Sequence, residues 1–311
     1  MITGYVDSHC HFFESMRVAQ WVKDTCDIWE YGEVANVQLS AASGTLQDLL
    51  SAMSVADVSR AVVVNCFSID EWRDRAFNGL HEGLNLSGNT TAMSHSLLAR
   101  MMMGYNEWIL QTVTNVPEIV PFVAIDPWVL SHFELDNHLS LVTECGAKGA
   151  KIHPVAQRID FRHEGSLGVV RLAASHGLPL VIHSGKAKGS IPFGEITSLM
   201  KVAKTPDLRL IIAHLGGATW KQAPAMAEDY PKVLFDISEL IAWLGAPNAP
   251  TPSELVDIIR QIGPERVMFG SDFPWYDPSE MLQVVKNLPH LSDLELSAIV
   301  RDNAVKHLAL H

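Results

Sequence analysis

The segment LPLVIHSGKAKGSIPFGEITSLMKVAKTPDLRLIIAH, residues 178–214, decides the fold. It opens with one short apolar run, Leu178–His183, and closes with another, Leu208–His214. Each is apolar at successive positions, which suits a strand buried on both faces of a parallel sheet. Gly194–Lys204 between them has helical character. The unit therefore reads strand, helix, parallel strand. Both runs end in histidine.

The same unit repeats outward in both directions. Gly4–Asp7, Ala61–Cys66, Val120–Ile125 and Gly149–His153 precede it, and Val233–Ile237 and Arg266–Ser271 follow. Helical segments fill the gaps: Thr45–Val58, Leu139–Cys145, Leu167–His176, Ala223–Asp229, Ser253–Ile262 and Pro278–Leu288. In the first of these, Leu46, Leu49, Leu50 and Met53 form a stripe at i, i+3, i+4, i+7. Ser253, behind Thr251 and Pro252, is the expected start of its helix, and Gly177 is a stop.

Eight such strands, each followed by a helix, predict one α/β domain over residues 1–311, a (β/α)8 TIM barrel. A doubly wound sheet is disfavoured because no G-x-G-x-x-G follows the first strand. Helical insertions are expected after strands one and two, at about 14–44 and 68–117. The second carries a polar patch, Asn85–Thr91, and a long helix from Met93 to Val113. Long insertions serve as lids or binding loops; here a helical layer or a contact in a homo-oligomer is the other reading.

Composition narrows the partners. Lys and Arg number 23 against 35 Asp and Glu, a net charge of −12, with no basic stripe. Nucleic acid is not expected; a small molecule, carboxylated or not, is. The cysteines Cys10, Cys26, Cys66 and Cys145 form no C-x-x-C pair. With no basic leader and no bilayer-length apolar run, no membrane association and a cytoplasmic location are expected.

The informative polar residues lie at strand ends. Strand one ends in Asp7-Ser8-His9-Cys10-His11, strand four in Lys151-Ile152-His153, strand five in His183, strand six in His214 and strand eight in Asp272. The carboxyl ends of barrel strands build the active site. His9 and His11, two apart, share a side, while Cys10 faces the helices. Alone, a His-x-His pair means little, and a single buried histidine or a turn aspartate means less. Together, His9, His11, His183 and Asp272 can bind zinc with a water, whose pKa would fall toward ~7. Asp272 can instead take the water's proton, and His214 can orient the water or polarise the substrate.

At these residues the sequence resembles the amidohydrolase superfamily, in the branch called amidohydrolase family 2. That branch includes decarboxylases of aminocarboxymuconate semialdehyde and resorcylate, and pyrone-dicarboxylate lactonases. The matching pieces are Val6–His11, Val181–Gly185, Ile212–Gly217, Phe269–Pro274 and Asp302-Asn303-Ala304. The resemblance implies a barrel with one divalent metal, usually zinc, held by His9, His11, His183 and Asp272, and a catalytic His214. Nitrogen and oxygen ligands also accept Mn²⁺, Fe²⁺ or Co²⁺.

Strand four, Gly146-Ala147-Lys148-Gly149-Ala150-Lys151-Ile152-His153-Pro154, resembles a form found in hydrolase-type members. Lys151 and His153 can hold a substrate carboxylate or carbonyl. A carboxylated Lys151 would instead bridge a second metal. Trp275 and Tyr276 can wall the pocket. Glu14 can approach the metal from the first loop, though a loop glutamate is usually solvated. One of Arg73, Arg75, Arg158 and Arg162 can clamp an acid group. Met101–Met103 reads as helix packing.

Three functions follow. The leading one is metal-dependent hydrolysis of an amide, lactone or ester by an activated water. The second is non-oxidative decarboxylation of an aromatic or unsaturated acid. The third is a non-catalytic barrel protein.

Overall fold

The computed structural model describes residues 3–26, 28–32, 37–80, 95–189 and 191–310. Eight parallel strands run in the order of the sequence: β1 Tyr5–Cys10, β2 Val58–Val63, β3 Ile119–Ala124, β4 Gly149–Ile152, β5 Leu180–Ile182, β6 Leu210–Ile212, β7 Leu234–Asp236 and β8 Val267–Met268. β8 rejoins β1 through Ser8 N to Phe269 O at 2.9 Å and Asp272 N to His9 O at 2.9 Å. Helices alternate with the strands, so the protein is a (β/α)8 TIM barrel. Among the described residues no helix is long and apolar enough to cross a membrane.

Strand alternation sorts the core into two layers. Val6, Val62, Val120, Phe122, Val181, Ile211, Leu234 and Met268 fill the barrel, closed below by Ala304 and Leu308. Their chain neighbours, among them Ala61, Val123, Ile182, Ile212 and Phe235, face outward into the helices. Gly149 has no side chain because the Phe122 ring occupies that space.

Several boundaries differ from those predicted. The first large helix is α2, Leu46–Ala56, following α1, Met16–Thr25, in the first insertion. Asp57 ends α2 in a left-handed conformation, so β2 starts at once at Val58, earlier than Ala61, and ends before Asn65 and Cys66. The second insertion contains α3, Ile69–Phe77, and α4, His95–Val113. The patch Asn85–Thr91 and the predicted helix start at Met93 lie outside the described residues. Met101 and Met102 are buried in packing, as expected of them.

The outer ring continues with α5 His132–Glu144, α6 Glu164–Ser175, α7 Ile196–Ala203, α8 Ala223–Asp229, α9 Pro252–Ile262 and α10 Pro278–Lys286. α9 starts at Pro252, one residue before the expected Ser253, and Thr251 caps it: its hydroxyl accepts from Glu254 N while the Glu254 carboxylate accepts from Thr251 N. The C-terminal α11 Asp293–Ser297 and α12 Asn303–Leu308 close the chain. Asn303 Nδ2 donates to Pro264 O and Val267 O, both at 2.7 Å, which seats α12 under β8.

Candidate metal centre

The centre starts with an irregularity in β1. Asp7 pairs with Ala61 but Cys10 with Val63, so β1 spends one residue more than β2 over this stretch. Such a bulge re-aims side chains. Cys10 joins the outer core and donates Sγ–H to Val62 O at 3.3 Å, while His9 and His11 line the cavity. Below them Asp7 accepts from His9 N at 3.1 Å, Ser271 N at 2.9 Å and Ser271 Oγ at 2.5 Å, locking β1 to the end of β8. Burial lifts the Asp7 carboxyl to about 7.

Asp272 follows β8 in a left-handed conformation, φ 59°. Its Oδ1 lies 3.5 Å from His9 Nε2 and 3.3 Å from His11 Nε2. Ligand atoms of His9, His11 and Asp272 all lie within 4.8 Å of one another. Burial works to raise the Asp272 pKa, but the His11 hydrogen bond and the neighbouring imidazoles hold it below the usual carboxylate range. Burial pushes the His9 imidazole down to about 3, so it is neutral with a lone pair to give.

A residue that strand-end reading missed sets the His9 orientation. Asp236, the last residue of β7, places Oδ2 2.9 Å from His9 Nδ1. Its Oδ1 accepts from His214 N and Ser238 N, each at 3.1 Å, and from the Ser238 hydroxyl. Burial opposes its ionisation most, but the His9 contact, His214 and the Ser238 hydroxyl together hold the Asp236 pKa below the usual carboxylate range. A carboxylate on the outer ring nitrogen fixes the tautomer of a ligating histidine. The available signal was an aspartate ending an otherwise apolar strand.

His183 stands apart from this group. Its Nδ1 is 3.0 Å from His214 Nε2, and its ring stacks on His153 at 3.7 Å between centroids. Among the described residues no metal-capable triad includes it. His214 and Glu239 have left-handed backbones, each with φ 57°. Strain of this kind, about 1–3 kcal/mol per residue, concentrates at functional sites. His214 Nδ1 lies 3.1 Å from Ser238 O, leaving Nε2 toward the cavity. Glu239, also missed in the sequence, lines the cavity beside His214 and Asp272. Burial, then Asp272 and Glu30, raise its pKa well above the usual range.

Lys151 projects from β4 with Nζ 3.4 Å from His9 Nε2, and burial lowers its pKa. With His153 and Trp275 it lines a cavity of about 380 Å³. Trp275 meets His11 edge-on at 5.2 Å, while Tyr276 is packed away from the cavity, its hydroxyl accepting from Trp243 Nε1 at 2.7 Å. Phe13, Trp21 and Trp29 add aromatic wall. Glu30 closes one side: its carboxylate accepts from Lys186 N at 2.5 Å and Ala218 N at 3.2 Å.

Two expectations for the first loops are corrected. Glu14 is neither fully solvated nor at the metal group: it is half-buried and pairs with Arg75 at 3.3 Å. Arg75, buried, also pairs with Glu71 at 2.6 Å. That arginine is neutralised inside the protein. Arg158 pairs with Asp70 at 2.7 Å, Arg162 with Asp160 at 2.7 Å and Arg73 with Asp70 at 3.8 Å; none of the four arginines lines the cavity.

The donor set fits a divalent ion. Three N and O donors converge, two of them from the end of β1, and His9 has its outer carboxylate. A family model described as amidohydrolase matches residues 6–310. A search of curated proteins returns no significant match. Solved structures share the fold. A Pseudomonas putida protein provisionally assigned as a 2-pyrone-4,6-dicarboxylic acid hydrolase aligns at 17% identity and TM-score 0.61, covering 100% of this chain and 99% of that one. The Rhizobium 2,6-dihydroxybenzoate decarboxylase aligns at 14% and 0.66, covering 99% of each chain. A dihydroxybenzoic acid decarboxylase from Polaromonas, solved with bound manganese and the inhibitor 2-nitroresorcinol, aligns at 13% and 0.67, covering 99% and 98%.

Proposed function

This chain belongs to the amidohydrolase family, and on that premise we propose that it is a metal-dependent hydrolase of a small molecule with an amide, lactone or ester bond. His9, His11 and Asp272 would hold the ion, with His183 completing the set after turning from His214. Zinc is the expected ion, and the manganese of the Polaromonas relative keeps Mn²⁺ in view. When bound, such an ion polarises a carbonyl and lowers the pKa of a coordinated water to ~7.

The observation that carries this reading is the pairing of Asp272 with His214 as proton acceptors on one cavity. Asp272 is held ionised by its imidazole neighbours. Burial lowers the His214 pKa, and its Nε2 faces inward. A hydrolase needs a base beside the attacking water. Asp272 takes that proton, and His214 orients the water or the carbonyl. Lys151, without a carboxylate ion pair among the described residues, receives a carbonyl or carboxylate oxygen of the substrate. Trp275 and His153 flank the bound molecule. The cavity volume suits a small substrate.

Lys151 also favours a second reading, decarboxylation, because a cation beside the metal group can seat the departing carboxylate. Turnover of lactones, esters, amides and aromatic acids in ¹⁸O-water separates the two. Label in the product supports hydrolysis; CO₂ release without label supports decarboxylation and defeats the first proposal.

A further inference from the structure

The side chain of Glu30 reaches from the first insertion to the two loops that carry His183 and His214. Its Oε2 accepts from Lys186 N, in the loop after β5, and from Ala218 N, in the loop after β6. Both loops are cut back to admit it. A β-carbon on Gly185 would lie 2.5 Å from Glu30 Oε1, and one on Gly217 would be closer still to that oxygen and 2.8 Å from Gly185 Cα. We propose that Glu30 is a positioning residue: its carboxylate fastens the His183 and His214 loops to one another and so sets the ring positions of both histidines. The proposal rests on the reading that places these two histidines in the working centre.

The plainer alternative is that Glu30 only anchors its own segment. Other contacts already do that. Asn248 Nδ2 donates to Glu30 O at 2.8 Å, Asn248 N donates to Tyr31 O at 3.1 Å, and the Tyr31 ring stacks on Trp243 at 5.3 Å. Residues 28–32 are therefore seated without the carboxylate. The carboxylate is nonetheless buried, 7% exposed, which is costly unless its oxygens are satisfied. Two main-chain N–H groups converging on one oxygen form an anion nest, and they satisfy it. Beneath the nest, Ser184 Oγ donates to Ala213 O and ties the strand ends together, which leaves the loops above as the part still to be fixed. The His183 and His214 rings meet at 3.0 Å, so a shift of either loop reaches both.

Histidine-ring NMR tests this without a substrate. Ring ¹H–¹⁵N spectra of the full chain would be recorded with zinc, which is diamagnetic, and again without metal. In Glu30→Ala the His183 and His214 resonances should move, while those of His138 on α5 and His176 after α6 stay. Excess formate, a carboxylate small enough to fill the vacated nest, should return them. Glu30→Gln keeps an acceptor oxygen and should match the wild type. Should Glu30→Ala not fold, Glu30→Asp serves, because its carboxylate is one methylene short of the two N–H groups, and the same displacement is expected. Unmoved His183 and His214 resonances, movement of His138 with them, or no return with formate overturns the proposal. Turnover reads the consequence. On any substrate found among the lactones, esters, amides and aromatic acids, kcat of Glu30→Ala should fall by ~10²-fold and recover with formate. A raised KM at unchanged kcat would make Glu30 a cavity wall only and overturns the proposal too. No turnover by the wild type defeats the hydrolase reading and leaves the ring spectra to decide Glu30.

Discussion

His9 and Asp236 meet at 2.9 Å across the end of β8, joining the first strand to the seventh. The strand between them permits it. Gly270 lies where a β-carbon would come within 2.7 Å of His9 Cβ and 2.9 Å of Ser238 Cβ. A glycine at that spot lets imidazole and carboxylate reach each other over the barrel wall.

Asp236→Asn should weaken divalent metal binding by ~10–100-fold, the usual cost of losing an outer partner. The amide can still accept from His214 N, so the strand ends stay in place. Competition against a chelator of known affinity measures the loss. An unchanged affinity would show that His9 does not depend on Asp236.

Gly270→Ala forces the new methyl between His9 and Ser238. We expect a loss of ~1–3 kcal/mol in stability from overpacking, together with weaker metal binding. Urea unfolding of the metal-free protein isolates the first effect and chelator competition the second. Stability lost without metal affinity would mean that His9 can shift without cost to the site.

Lys151→Met removes the buried ammonium at nearly constant length. Turnover of the best substrate should fall by ~10²–10⁴-fold in kcat/KM, the range for a positioned catalytic group. The metal first bound at His9, His11 and Asp272 should be retained. A mere rise in KM with kcat unchanged would reduce the role of Lys151 to uniform binding.

Two buried groups away from the cavity give stability opposite slopes with pH. Asp126 accepts from Trp128 N at 2.8 Å and Gln157 Nε2 at 3.3 Å, and burial raises its pKa from 3.8 to about 7. Its contribution is fully present below 3.8 and is lost as pH rises through about 7. His138 Nε2 accepts from Asn106 Nδ2 at 2.9 Å, and burial lowers its pKa from 6.5 to about 4. Its contribution is present above 6.5 and is lost as pH falls through about 4. Between pH 5 and 7, Asp126→Asn should therefore gain on the wild type as pH rises, by ~1 kcal/mol per pH unit. Parallel stability curves would refute an ionising Asp126.

The barrel was legible because its signal is local. Runs such as Leu180–Ile182 and Leu210–Ile212 are apolar on both faces, and the intervening helix carries its own stripe. The polar residues closing those runs, His183 and His214, stood out for the same reason. Asp236 and Glu239 did not, because an acid after a short apolar strand is commonplace until its partner is known. Glu14 was misread as solvated because its partner Arg75 lies 61 residues away.

By itself, then, the sequence determined eight alternating units, the carboxyl-end placement of His9, His11, Lys151, His153, His183, His214 and Asp272, and the acidic balance of the chain. All of that follows from periodicity and composition. Tertiary structure alone decided that β1 bulges to turn His9 and His11 inward, that His183 faces His214, and that Asp236 and Glu239 join the site. It also buried the charge of Arg75 against Glu14 and Glu71. Those outcomes depend on register between strands distant in the chain, and register is set by packing around the closed barrel.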